Sequence, residues 1–244
     1  MEHNNKYNFC YDGTIEGFLC IMDFCIKNRT IPLHIKPEHM LNGYECDSYV
    51  RITSDIRRAE YVYKAIGRHG SAQVQQIVLD AFLTASVNKE MNLFVFICKA
   101  FKYGSVIAED YSDRINADIQ FAIRDLYREA QMIISNLGIV CKENTGIAII
   151  NPRNNVVPII KDNIFARSET ENIILYDKRH NIAAVRFMDR STVLDLTYVL
   201  HEEIKGADDI VNKLIPYLRS SGIISHRNTN TRINELDPFW YTAG

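Results

Sequence analysis

The sequence predicts an α+β protein: a small, mainly antiparallel sheet of hairpins packed with several helices. Three observations predict it. Apolar residues recur at helical spacing through most of 53–136. Two pairs of short β-prone runs, near 139–151 and 172–187, are each joined by a few polar residues. No Gly/Ser-rich linker and no internal repeat divides the chain. The 244 residues are therefore expected to form a single α+β domain over 1–244, helix-rich at about 53–136 and hairpin-rich at about 137–190.

The elements follow in order. Residues 7–11 are aromatic and β-prone and stop at the turn signal Asp12-Gly13. Thr14 is placed to cap a helix over 15–27. Glu16 in its first turn suits the helix dipole, and Phe18, Leu19, Met22 and Ile26 give it an apolar face. Residues 28–46 hold Pro32, Pro37 and Gly43 without a clean period, which predicts a long surface loop. A short strand over 48–52 precedes a helix over 55–69, capped by Thr53 or Ser54, with Ile56, Ala59, Tyr63 and Ile66 on its core face. Helices follow over about 71–85, 89–103 and 113–136. The 89–103 helix is apolar nearly all round and is expected at the centre of the core. A hairpin then joins 139–142 to 147–151 through a loop at 143–146. A short helix over 157–165 leads to the second hairpin, 172–187. Residues 191–205 are ambiguous between strand and helix, with helix favoured over 195–205. A helix over 207–220 and a polar, loop-like end with Pro238-Phe239-Trp240-Tyr241 complete the chain.

Hydrophobic residues make up 47% and charged ones 24%, which supports a real core. A net charge of −2 and a pI near 6.4 exclude a generally basic binder, so any nucleic-acid contact has to come from a local patch. No long apolar run and no signal-peptide pattern stand out, so a cytoplasmic location without membrane contact is expected. The six cysteines include no Cys-x-x-Cys pair and read as buried, reduced thiols. Neither they nor the scattered histidines have metal-site spacing, so no metal and no cofactor is expected.

Two constellations stand out. Tyr176-Asp177-Lys178-Arg179-His180, at the turn of the second hairpin, is the densest polar cluster. It reads either as a ligand-holding turn or as a solvated one, in which Asp177 and Arg179 form a local ion pair. Arg57, Tyr61, Lys64 and Arg68 recur at spacings of four, three and four, hence on one helix face. Cations with an aromatic between them suit a phosphate backbone and a stacked base, or they form an ordinary solvated face. Paired acids for proton transfer would have to come from Asp12, Glu16, Glu129 and Asp177, brought together by the fold. Phosphate-binding glycine loops and the G-x-S-x-G elbow are absent, and His201-Glu202-Glu203 lacks the second histidine of a zinc-protease helix.

The order of motifs resembles a bacterial family described as probable DNA metabolism proteins, a domain of unknown function. The resemblance rests on Tyr11-Asp12-Gly13-Thr14-Ile15-Glu16-Gly17-Phe18-Leu19, on Leu126-Tyr127-Arg128-Glu129-Ala130, on Ile150-Asn151-Pro152 with Val156-Val157-Pro158, on Leu175-Tyr176-Asp177-Lys178-Arg179, and on Ile224-Ser225-His226-Arg227-Asn228. It spans nearly the whole chain, and the first and fourth motifs are specific in combination. The chain departs from the family at Gln131, where a histidine is usual, at Val140, where an arginine is usual, and near Ile164-Phe165-Ala166-Arg167, which lacks a histidine. It reads as a divergent member. The resemblance implies partnership with a radical S-adenosylmethionine protein of DNA repair or modification, and in some members linkage to a uracil-DNA glycosylase.

Three functions are thus expected to compete. The first is a DNA-metabolism accessory protein that binds DNA or a repair enzyme through Arg57, Tyr61, Lys64 and Arg68, with a polar pocket of Asp12, Glu16, Arg128, Tyr176, Arg179 and Arg227. The second is an enzyme acting on a nucleotide or damaged base, with Asp177 or Glu129 as the acid–base group and Arg179 or Arg128 as the anion clamp. The third is a structural interaction module, whose sign would be a large exposed apolar patch.

Overall fold

The chain is an α+β protein built on two sheets rather than on the one the sequence predicts. The structure, a computed structural model, describes residues 6–188, 190–197 and 204–223. Two compact units divide it, Met1–Asp125 and Leu126–Gly244.

In the first unit, β1 (Lys6–Tyr11) is the middle strand of a three-stranded sheet, between β2 (Ile31–Pro37) and β3 (Tyr49–Arg51). Both pairings are parallel. Parallel neighbours need a crossover, and α1 (Ile15–Asn28) supplies it, burying Ile15, Phe18, Leu19 and Met22. Phe9 is fully buried and meets Phe24 edge-on at 5.5 Å. The expected loop at 28–46 therefore contains a strand. Pro32, Ile35 and Pro37 are its buried positions, Leu33 is skipped where the register with β1 shifts, and the prolines are tolerated because β2 lies at the sheet edge.

Three further helices follow in this unit: α2 (Ile56–His69), α3 (Ala72–Phe82) and α4 (Lys89–Tyr103). The cap of α2 is Asp55, whose carboxylate accepts from Arg58 N at 2.9 Å, not Thr53 or Ser54. Its core face is Ala59, Val62 and Ile66. Ile56 is 49% exposed and Tyr63 only partly buried, so neither joins that face. The stretch Lys89–Ala108 has a mean hydropathy of 1.3 and by length and composition could cross a membrane. Leu93, Phe96, Ile97 and Ala100 are buried in this unit, while Val106 and Tyr103 are exposed.

The unit boundary falls within α5 (Arg114–Asn136). Asp113 caps this helix by accepting from Asn116 N at 3.0 Å, and it also binds Lys99. The Lys99 hydrogen bond, followed by the backbone donor, holds the Asp113 carboxyl below its usual range.

The second unit carries a five-stranded sheet in the order β4 (Val140–Lys142), β5 (Thr145–Ile150), β6 (Asn172–Asp177), β7 (Ile182–Phe187) and β8 (Arg190–Asp195). The β5–β6 pair is parallel, crossed by α6 (Val157–Arg167), and the other pairs are antiparallel. Arg186 of β7 closes the end of α6 by donating to the Phe165 carbonyl at 2.7 Å. The first hairpin's loop is tighter than expected. Lys142 pairs with Thr145, leaving only Glu143 and Asn144, both at positive φ (47° and 60°), as a primed turn that matches strand twist.

The helix favoured over 195–205 gives way to a strand up to Asp195, and Leu196, Thr197, Ile204 and Lys205 are not helical. Residues 198–203 lie outside the described ones. The pattern Val193, Leu194, Leu196 suits both periods, and pairing with β7 decides for the strand. The expected helix over 207–220 forms as α7 (Ala207–Asp209), a π-helical segment (Ile210–Leu214) and α8 (Ile215–Ser220). Pro216, with no N–H, removes a donor from the ladder just beyond the widened turn. Ile210, Leu214 and Leu218 pack on Ile174, Tyr176 and Leu194 of the sheet. The cysteines are all free thiols, but only Cys10, Cys20 and Cys25 are buried; Cys46, Cys98 and Cys141 are exposed.

Asp113 yields a prediction whose sign is fixed by its lowered folded pKa. Its stabilisation is complete above the unfolded carboxylate value, near pH 4, and is lost as the pH falls through the lower folded value. Asp113→Asn is expected to flatten the loss of stability between about pH 4 and pH 2, read by urea melts across that range. An unchanged acid limb would contradict the assignment.

Candidate functional site

The predicted residues distribute over both units. Asp12, Glu16, Arg57, Tyr61, Lys64 and Arg68 belong to the first; Arg128, Glu129, Tyr176, Asp177 and Arg179 belong to the second. Arg227 and the terminal aromatic cluster lie outside the described residues.

In the first unit, the parallel strand β1 ends at a polar corner. Asp12 is exposed, and its Oδ1 accepts from Thr14 N at 3.0 Å and from Thr14 Oγ1 at 2.6 Å. Its Oδ2 accepts from Ser54 Oγ at 2.5 Å, which ties the end of β1 to the segment entering α2. Thr14 Oγ1 in turn accepts from Gly17 N, the predicted cap of α1. Gly13 turns the chain at φ 89°. Gly17 is required by close approach: a Cβ there would stand 2.5 Å from Asp12 Oδ1 and 2.7 Å from Ser54 Oγ. Glu16 is partly buried in the first turn of α1. The Asp12-Gly13-Thr14 motif thus encodes a strand-to-helix corner. Ser54, its third partner, was legible only as a possible cap.

The second unit has its own polar edge, at the carboxyl ends of the parallel pair β5–β6. Asp177 ends β6 opposite Ile150 and has no exposed surface. Its Oδ1 accepts from Arg179 N at 2.9 Å and His180 N at 3.2 Å, and its Oδ2 lies 2.6 Å from His180 Nδ1. The expected Asp177–Arg179 contact therefore runs through the Arg179 backbone, while the Arg179 side chain is exposed. The sequence marks His180 only as a member of the polar cluster; the Asp-x-x-His spacing across a four-residue turn is the signal of its contact with Asp177. The Tyr176 hydroxyl donates to Asn181 Oδ1 at 2.8 Å, and Lys178 N donates to Ile150 O at 2.9 Å. Glu129, on α5, holds the loop after β5. Its Oε1 accepts from Arg153 N at 2.7 Å, and its Oε2 from Asn154 N and Nδ2 at 2.9 and 2.7 Å. Arg128 beside it is exposed. Both carboxylates are occupied by donors of the chain itself. A proton-transferring acid has to come within hydrogen-bond reach of its substrate, and Asp177 presents no surface to one.

On α2, Arg57, Tyr61, Lys64 and Arg68 are all exposed, on the side roughly opposite the buried Ala59, Val62 and Ile66. Tyr61 is 62% exposed, with the Arg68 guanidinium 6.0 Å from its ring centre. Lys64 pairs with Glu60 at 3.2 Å. Arg58, on the other flank, turns to the buried Asp23 of α1 at 3.0 Å. Two grooves lie elsewhere. One, of about 560 Å³, lies beside Cys25, Ile31, Phe94 and Cys98. The other, of about 870 Å³, lies beside Phe165, Thr170 and Arg186. Neither is lined by a predicted site residue. Among the described residues, no cluster of three or more potential metal ligands forms.

Two substitutions test this geometry. Asp177→Ala strands two backbone N–H groups and an imidazole and is expected to cost about 3 kcal/mol in a urea melt, with Asp177→Asn milder. Gly17→Ala is expected to cost about 1–3 kcal/mol by forcing the Asp12–Ser54 contact apart. Wild-type stability in either alanine variant would refute the corresponding corner. Scanned against protein-family models and searched against curated proteins, the chain matches none.

Proposed function

We propose that this chain is an accessory protein of DNA metabolism that binds nucleic acid through α2 and works beside a radical S-adenosylmethionine enzyme or a DNA glycosylase in the cytoplasm. The observation that carries the binding part is the outer face of α2. It holds Arg57, Lys64 and Arg68 around an exposed Tyr61, with Glu60 on the flank paired to Lys64 at 3.2 Å. In a chain of net charge −2, such a local concentration of cations is what a phosphate backbone requires. The setting in DNA repair or modification rests on the motif resemblance.

Binding is preferred to catalysis for a physical reason. The two carboxylates that an enzyme of this kind would use, Asp177 and Glu129, each accept three hydrogen bonds from their own surroundings. They are spent on holding a hairpin turn and a loop. Asp12 likewise secures the corner after β1 through Thr14 and Ser54 rather than standing free for a substrate.

The test is a fluorescence-anisotropy titration of labelled DNA at low salt. Wild-type protein is expected to bind, and the triple variant Arg57→Ala/Lys64→Ala/Arg68→Ala to lose roughly tenfold or more in affinity, with an unchanged melting curve. Absence of binding by the wild type at low salt would sink the proposal.

A further inference from the structure

We infer that the α2 face is built for an unpaired strand rather than a duplex; this rests on the nucleic-acid reading of α2 just proposed. The first ground is Tyr61. An aromatic side chain 62% exposed at the outer pole of an amphipathic helix contributes little to the core. The Arg68 guanidinium lies 6.0 Å from its ring centre, and the ring sits between Arg57 and Lys64 along the helix. A ring held in this way offers a stacking platform, and only a base freed from its pair has a face to lay on it. In a duplex the faces are already stacked on one another.

The second ground is the charge along the helix. Helices that read duplex DNA place their N-terminal residues at the base edges. Here the N-terminus of α2 is capped by the exposed Asp55, next to Ser54 and the Asp12 carboxylate that it binds. Two carboxylates at that end repel the phosphates that would flank a groove. The cations run from Arg57, the second residue of the helix, to Arg68 near the C-terminus, a track of about 16 Å along its whole length. The same track runs beside the stacking ring, as a single strand's backbone does beside its bases. Arg58, the one further cation in the first turn, is committed to Asp23 and does not widen the track.

Up to three phosphate contacts give a shallow salt dependence. Affinity for a single strand is expected to fall roughly 20-fold between about 50 and 200 mM salt, corresponding to a slope of about −2. The experiment compares labelled oligo-dT, oligo-rU and a mixed-sequence DNA duplex of equal length by anisotropy, using the full chain. Expected results are affinity for oligo-dT or oligo-rU at least tenfold above that for duplex, an approximately tenfold loss on Tyr61→Ala, and recovery with Tyr61→Phe, which keeps the ring. The tighter of dT and rU identifies the sugar. Equal or tighter duplex binding overturns this inference and leaves the nucleic-acid reading standing. Single-strand binding that Tyr61→Ala does not weaken overturns it too. Failure of every strand to bind overturns both. Tyr61 is exposed, so loss of folding in its variants is not expected, and a melting curve verifies that.

Discussion

A carboxylate without exposed surface has to find its partners within the protein, and in the second unit that requirement shapes the hairpin. Asp177 sits at the end of the central strand β6, and the next three residues turn back so that two N–H groups and the His180 ring reach it. The turn fixes the register of β7, which fixes β8 in turn. A one-residue slip would move the apolar face of β7 away from the helices that cover the sheet. Ala183 and Val185, the part of β7 in the core that Leu214 and Leu218 share, would then turn to the other face. The polar turn and the apolar core beneath it are therefore one device.

The first unit solves the same problem differently. Its parallel strand β1 also ends in an aspartate, but Asp12 stays exposed and ties two segments together through Thr14 and Ser54. Each unit thus places a carboxylate where a parallel strand ends, and each uses it to secure the chain's change of direction. On α2, Arg57, Lys64 and Arg68 face outward together. Several acids, Asp23, Asp113, Glu129 and Asp177 among them, are turned onto partners within the protein.

The sequence was most legible where one element carried its own signal. Thr14 caps α1, the repeat of Ile119, Leu126 and Ala130 marks α5, and the polar residues between two β-prone runs mark the β6–β7 hairpin. It was least legible where tertiary pairing decided. Ile31–Pro37 looks like a loop until β1 lies beside it, and Val193–Leu196 fits either period until β7 does. The parallel pairing of β5 with β6 joins two stretches that each read as half of a separate hairpin. At the candidate sites, residue types and spacing identified Asp12, Asp177 and the α2 stripe. They could not tell that Asp177 would be wholly buried, because burial depends on what the remainder of the sheet covers.

The two prolines of β2 have a consequence for the protein among its own copies. A strand at the border of a sheet is a template on which another chain can crystallise into a shared sheet. Pro32 and Pro37 bring no N–H to that border, and they bracket a run of only four residues, Leu33, His34, Ile35 and Lys36, of which one is cationic. An incoming strand would find too few donors in a row to settle. The residues that obscured β2 in the sequence thus act as guards against fibre growth at high concentration.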